Sequence, residues 1–438
     1  MQTQHSHNSA DRSSTQQTGS TSDSLLFVEN TLENGLHILC HPDPRSPVVT
    51  VDVIYRVGSR YEPAGKTGYA HLFEHLMFDG SRHLGRGEYD RHCTLAGGEN
   101  NAWTSCDLTN YWITLPAHRF ELGLWLESDR MSGFGVQQIS LDTQKGVVTA
   151  EKHQVIDNVP YGDAGILMRE LMYAEGHPYR HEPIGSMQDV ANATLDDMRW
   201  FYERYYIPSN ATLVVAGGFD PQEARDLAEM YFGEIPAGTR GTPPAAPATL
   251  LRSGNRCSVN SELVPFNGVF LGWHAPDLQT PDMMSLELLA SILADGESSR
   301  FYLTMEYDPM IASETGAFLE EGEQGSLFCV YAMGQTKRIG VKRLEEALRE
   351  QISRIARDGI SEQELDKAKN RKISTVVHSL QSVSNRAERM AYFAATHNDP
   401  SLAWKEAEAY SAITPEDIRH AAEQYLDPDK ASVVEYHQ

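Results

Sequence analysis

No apolar run in this 438-residue chain reaches the ~18 residues needed to cross a bilayer as a helix, so a transmembrane helix is not expected. Cysteine is scarce: Cys40, Cys93, Cys106, Cys257 and Cys329 form no C-x-x-C pair and leave one over, which excludes a disulfide scaffold and predicts reduced thiols. Basic residues are also in deficit. Lys and Arg number 37 against 61 Asp and Glu, for a formal net charge of −24, and a surface of that sign repels a phosphate backbone, so nucleic acid is excluded as a partner. The first 24 residues, MQTQHSHNSADRSSTQQTGSTSDS, contain no apolar core of a signal peptide and read as a disordered polar tail (residues 1–24). A cytoplasmic location follows, or a periplasmic or otherwise exported one if a leader has been removed.

What the chain does have is a histidine pair at helical spacing. In TGYAHLFEHLMFDGS (residues 67–81), His71 and His75 lie four apart and share one face of a helix. Glu74 flanks that face. Two imidazoles can hold a metal ion and a neighbouring carboxylate can serve its water, the composition of a hydrolytic zinc site, and the order His-x-x-Glu-His is the inverzincin arrangement. Ordinary surface histidines would sit in a polar helix. Here Leu72, Phe73, Leu76, Met77 and Phe78 surround them, and burying two imidazoles and a carboxylate without a partner is costly.

Further landmarks follow in order. Glu151, 76 residues after His75, sits in a V-V-x-x-E helix that runs into D-N-x-P-Y-G. GGENNAWTSCDLTNYWITLP lies between, and HPYRHEPIGS and FYERYYIPSNATLVVAGGFD come after. From about residue 27 onward the chain resembles the pitrilysin (insulinase) family of zinc metallopeptidases, and in size the subunits of mitochondrial processing peptidase. The resemblance implies one Zn2+ per chain held by His71, His75 and Glu151, with Glu74 as general base. It implies that Asn101, Ala102, Trp103 and Thr104 form an edge strand on which an extended peptide is bound. His153, His83 and His92 are expected to be surface histidines, the last two in a loop. Two departures stand out. Gln144 replaces the family's frequent second glutamate, leaving a group that can hydrogen-bond behind the ligands but brings no charge. In SSRFYLTMEYDPMIASETGAF the positions of the family's substrate-holding Arg and Tyr fall on Glu306 and Ser313. A chain of this size also builds half of the chamber that double-length members close alone. A dimer is therefore expected, preferably a heterodimer with a homologue that carries the Arg/Tyr pair, with a homodimer as the alternative.

The chain repeats itself. TLDDMRWFYERYYIPSNATLVV lines up with TPEDIRHAAEQYLDPDKASVV at an offset of 220, pairing Thr194 with Thr414, Asp197 with Asp417 and Pro208 with Pro428. SPVVTVDVIYRVGS and VPFNGVFLGWHAPD read as counterpart strands. The fold class expected is α/β (α+β): two similar domains, 25–235 and 251–438, each a mainly antiparallel sheet packed with helices, joined by a Pro/Gly-rich linker at 236–250. Where the metal helix should recur the chain reads MMSLELLASILADGESS, so the chemistry belongs to the first half. The function expected is zinc-dependent endopeptidase action on unfolded peptides. A non-catalytic subunit of the same fold, or a zinc-containing peptide-binding module, are the alternatives.

Overall fold

The computed structural model describes residues 27–246 and 248–438; the expected polar tail at 1–24 lies outside them. Among the described residues, the first half builds a six-stranded sheet from β1 (Val28–Thr31), β2 (His37–Pro42), β3 (Val48–Tyr55), β4 (Glu99–Thr104), β5 (Thr109–Pro116) and β6 (Ala211–Gly217), in the order β1-β2-β6-β3-β5-β4. The β2–β6 pair is parallel and the others antiparallel. Its helices are α1 (Tyr69–Leu76), α2 (Glu88–Leu95), α3 (Phe120–Ser132), α4 (Gln138–Lys152), α5 (Ala164–Met172), α6 (Met187–Asn192), α7 (Leu195–Tyr205) and α8 (Pro221–Phe232).

The second half repeats the plan. Strands β7 (Arg256–Asn260), β8 (Gly268–Ala275), β9 (Ala312–Glu320), β10 (Ser326–Gly334) and β11 (Ser432–His437) form a sheet in the order β7-β11-β8-β10-β9, with the β7–β11 pair parallel. Its helices are α9 (Asp282–Ala294), α10 (Val341–Asp358), α11 (Glu362–Ser379), α12 (Val383–His397), α13 (Leu402–Ala412) and α14 (Pro415–Tyr425). The expected α/β class with two similar, mainly antiparallel units is what the structure has. The repeated segments become α7 and α14, and both open with the same capping box, Thr194 with Asp197 and Thr414 with Asp417. In each, the side-chain oxygen takes an N–H that the helix start would otherwise leave unpaired.

The halves are interlocked. Each sheet covers one face with its own helices and the other with a helix of the opposite half. Val49, Val51 and Val53 of β3 enter the first core, whereas Ile54 on the reverse face packs with Ala387, Met390, Ala391 and Ala394 of α12. Reciprocally, Ala164, Met168 and Met172 of α5 pack with Leu327, Cys329 and Val434 of the second sheet. Strands covered on both faces read as continuous apolar runs instead of alternating ones, which is why VVTVDVIY is so rich in valine. Gly272 of β8 makes the α5 crossing possible: a Cβ there would lie 2.6 Å from the Met168 sulfur. Residues 236–246 have no regular structure. The chain beyond is tied to the end of α5 by Ala174 N–H to Leu250 O at 2.7 Å and Arg252 N–H to Met172 O at 2.7 Å. All five cysteines are free thiols, and no helix among the described residues is long and apolar enough to cross a membrane.

Candidate metal and catalytic centre

Helix α1 is short, and its two faces have different tasks. Leu72, Phe73 and Leu76 are fully buried, with Phe73 lying 4.4 Å from the Tyr206 ring and stacked on Phe134. That packing leaves His71, Glu74 and His75 on the opposite side. The helix start is held by Glu62, a buried carboxylate that accepts the N–H groups of Gly68 (2.9 Å) and Ala70 (2.7 Å) and meets His181 Nε2 at 2.8 Å. A carboxylate at a helix N-terminus satisfies its free donors and complements its dipole. Glu62→Ala is therefore expected to lower stability by about 2 kcal/mol or more, measurable as a fall in the urea midpoint. An unchanged midpoint would show that the cap is dispensable.

The long helix α4 crosses α1 and delivers Glu151 to the histidine face. His75 Nε2 lies 3.3 Å from Glu151 Oε2, and His71 Nε2 lies 3.6 Å from Oε1. Ligand atoms of the three residues all fall within 4.8 Å of one another. With metal–ligand bonds of about 2.0–2.1 Å, the edge of a tetrahedron is about 3.3 Å, close to the two histidine–Glu151 separations. Burial lowers both imidazoles, His71 to about 4 and His75 in the same direction, so both are neutral at neutral pH, the state in which imidazole binds metal. The donor set fits the metal that the sequence motif calls for.

Glu74 points toward the edge strand. Its Oε2 accepts a hydrogen bond from Thr104 Oγ1 at 2.5 Å, and burial pushes the carboxyl up to about 7. Among the described residues, strand β4 pairs with β5 alone, so its other edge is unpaired there beside the site. The four β4 residues named from sequence have different surroundings. Thr104 holds Glu74, and Ala102 packs on the first core. Asn101 is exposed. Trp103 turns to the other face and donates from Nε1 to Glu388 of α12 at 2.7 Å. Gln144, two turns before Glu151, donates from Nε2 to Asp79 Oδ2 at 3.1 Å, and the Asp79 charge in turn acts on His75.

The other histidines are engaged elsewhere. His83 meets Asp129 at 2.6 Å and His153 meets Asp157 at 2.7 Å. His92 lies edge-on to Trp125, and it belongs to helix α2, not to the loop expected from sequence. The glycines flanking that stretch obscure a helix of only eight residues. Sequence reasoning also missed the supports of α1. His181 and Asp79 carry no local signature, because each reaches its partner through the tertiary fold.

Comparison with known proteins settles the family. Residues 37–159 match Insulinase (Peptidase family M16), and residues 192–372 match Peptidase M16 inactive domain. The chain belongs to the insulinase family of peptidases, family M16. This M16 chain is 27% identical to the zinc protease PqqE of Helicobacter pylori over 409 residues, covering 92% of the chain and 91% of the relative. It superposes on the crystal structure of a protease from Helicobacter pylori with a TM-score of 0.86 at 27% identity, covering 94% of this chain and 99% of that one. The periplasmic protease PqqL of Escherichia coli shares the fold, with a TM-score of 0.73 at 20% identity, covering 94% of this chain and 47% of that one. In the M16 chain's second half, Asp295 at the end of α9 and Arg371 of α11 approach each other, with Nε and Oδ2 3.5 Å apart.

Proposed function

We propose that this chain is a zinc-dependent endopeptidase acting on unfolded peptides. In this reading His71, His75 and Glu151 hold one Zn2+ and Glu74 is the general base. The observation that carries it is the convergence of two imidazoles and one carboxylate within 4.8 Å of one another, with the Glu74 carboxylate beside the histidines on their own helix. Bound zinc supplies an electrophile for the peptide carbonyl and lowers the pKa of water. Glu74 takes the proton of the attacking water and returns it to the leaving amine. Thr104 orients the carboxylate through one oxygen, leaving the other for the water. The free edge of β4 pairs with an extended substrate through the backbone of Asn101, Ala102, Trp103 and Thr104, which recognises chain conformation more than side chains. The −24 charge favours basic peptides in the encounter.

A partner subunit is part of this reading. Glu306, at the position where relatives carry the substrate-holding Arg, accepts from Thr315 Oγ1 at 2.6 Å. Ser313, at the Tyr position, donates to Gly334 O at 3.2 Å. Neither offers a cationic or phenolic group to a substrate. This chain matches 47% of the E. coli protease, which leaves room there for a second unit of similar size. A heterodimer with a homologue bearing the Arg/Tyr pair supplies both, and a homodimer supplies chamber closure alone. The description of that relative as periplasmic favours an exported location over the cytoplasm. A non-catalytic subunit, or a zinc-containing peptide-binding module, is the second reading, favoured by the same missing pair.

The deciding experiment is cleavage of a mixed pool of unfolded peptides by the purified chain, stripped of metal and then reloaded with zinc. Turnover that disappears and returns with the metal supports the enzyme. A fully zinc-loaded chain that binds peptides without cleaving them would establish the binding module instead. A related measurement probes Gln144. Gln144→Ala frees Asp79 from its hydrogen bond and is expected to weaken zinc binding about 10-fold in competition with a chromogenic chelator. An unchanged affinity would remove Gln144 from the site.

A further inference from the structure

A cavity of about 480 Å3 lies where the two halves and the segment between them meet. Arg56, Arg60, Arg240, Gln279, Glu323 and Gln324 are among the residues that line it. Arg60 is almost fully buried and takes two carboxylates, Glu323 of the wall and Asp107 outside it: its Nε lies 2.8 Å from Asp107 Oδ1 and its Nη2 lies 2.6 Å from Glu323 Oε2. Asp107 also accepts from the Tyr179 hydroxyl at 2.8 Å and from Glu323 N–H at 3.0 Å. The acids are thus committed.

Arg56 and Arg240 have neutral partners. Arg56 Nη2 donates to Ala394 O at 2.9 Å and Asn398 Oδ1 at 3.0 Å. Arg240 Nη2 donates to the Tyr61 hydroxyl at 2.6 Å and Arg56 O at 3.2 Å, and its buried Nε has no hydrogen-bond partner. Among the described residues, neither guanidinium has a carboxylate within 4.0 Å. Burial, and after it the like charge of Arg240, lowers the Arg56 pKa against the opposing charge of Glu323. Three guanidiniums line the cavity against one carboxylate, Glu323, with Asp107 outside the lining held by Arg60, in a chain with 24 more acidic than basic residues. Half-buried like charges repel strongly unless something neutralises them. The planar forks of two arginines suit an oxyanion with three or four acceptor oxygens, and Gln324 lines the same space with a side-chain amide.

We infer that Arg56 and Arg240 bind a small tetrahedral oxyanion of the phosphate class in this cavity. The bound anion bridges the end of β3, the segment between the halves and the turn between β9 and β10. It thereby ties the two halves together.

The test is thermal unfolding of the full chain, with metal content constant, in low-millimolar inorganic phosphate, acetate or chloride at matched ionic strength. Phosphate is expected to raise the wild-type Tm by about 2 °C over chloride, with acetate close to chloride. Arg240→Gln and Arg56→Gln are each expected to lose the rise. Gln324→Glu, on an exposed turn, brings a carboxylate to the two guanidiniums. It is expected to lose the phosphate response while raising the Tm in chloride, and it keeps the test decisive if an arginine variant does not fold. General salting-out by phosphate acts on all variants alike. The absence of a wild-type rise, an equal rise in Gln324→Glu, or an acetate response matching that of phosphate would each overturn the inference.

Discussion

Glu74→Gln is expected to reduce peptide turnover by at least 10²–10⁴-fold while leaving the zinc content and the Tm unchanged. The substitution is nearly isosteric, and its carbonyl can still accept the hydrogen bond from Thr104 Oγ1. What it removes is the ability to take a proton. The ligand atoms of His71, His75 and Glu151 belong to other side chains, so metal binding has no reason to change. Three readouts on one preparation separate the roles: initial rate on a peptide pool, zinc per chain, and unfolding midpoint. A variant that keeps more than a tenth of the wild-type rate would remove Glu74 from its role as base. One that loses zinc would make it a ligand. Glu151→Gln should behave in the opposite way, since it withdraws a charged donor from the ion, and its principal loss should appear as zinc per chain.

The largest expected effect on stability lies behind the site, at Arg130. This guanidinium is 1% exposed and bonds through Nε to Glu127 Oε2 at 2.8 Å, and Glu127 is itself fully buried. Tyr89 closes the network, donating to Glu127 Oε1 at 2.7 Å and accepting from Arg130 Nη2 at 3.1 Å. Phe78, Tyr89 and Tyr111 surround the charge, their ring centres 5.1, 4.7 and 4.4 Å away. Arg130→Leu leaves the Glu127 charge buried without its partner and is expected to cost about 3–5 kcal/mol, read from urea midpoints at unchanged slope. Most of that cost comes from the stranded charge. The double variant Glu127→Leu/Arg130→Leu should therefore recover most of the loss. If it is as unstable as the single variant, the network owes its weight to shape and aromatic contacts, not to charge. Because Phe78 follows α1 directly and Tyr111 lies on the central sheet, loosening here should also be felt at the metal helix.

The candidate centre was legible in the sequence to an uneven degree. His71, Glu74 and His75 stand out because four-residue spacing is a local property that any helix converts into a shared face. Glu151 was reached through a resemblance, since nothing local reveals which of many acids will lie across a helix crossing. Thr104 was named for its strand, yet its hydroxyl turns out to hold Glu74. Trp103 was named for the same strand but points away, to Glu388, which is 285 residues distant in the chain. Alternation along a strand separates 102 and 104 from 101 and 103, but only the fold decides which face receives the helix.

The same division holds for the architecture. The repeat, its capping boxes and the apolar strands could be read directly, because helix starts and strand patterns depend on neighbours in sequence. That α5 and α12 each cross to cover the other half's sheet was decided by tertiary structure. Both sheets need a second apolar cover, and the composition of a helix does not say which sheet it will meet. So the sequence determined the chemistry that one short helix can offer and the existence of two similar units. The tertiary structure decided what surrounds that chemistry: the third donor, the cap beneath α1, the strand edge beside Glu74 and the interlocking of the halves. Apart from the Glu62 cap, whose bonds reach only six and eight residues on, those are contacts between residues far apart in sequence, whose encounter depends on how the whole chain packs.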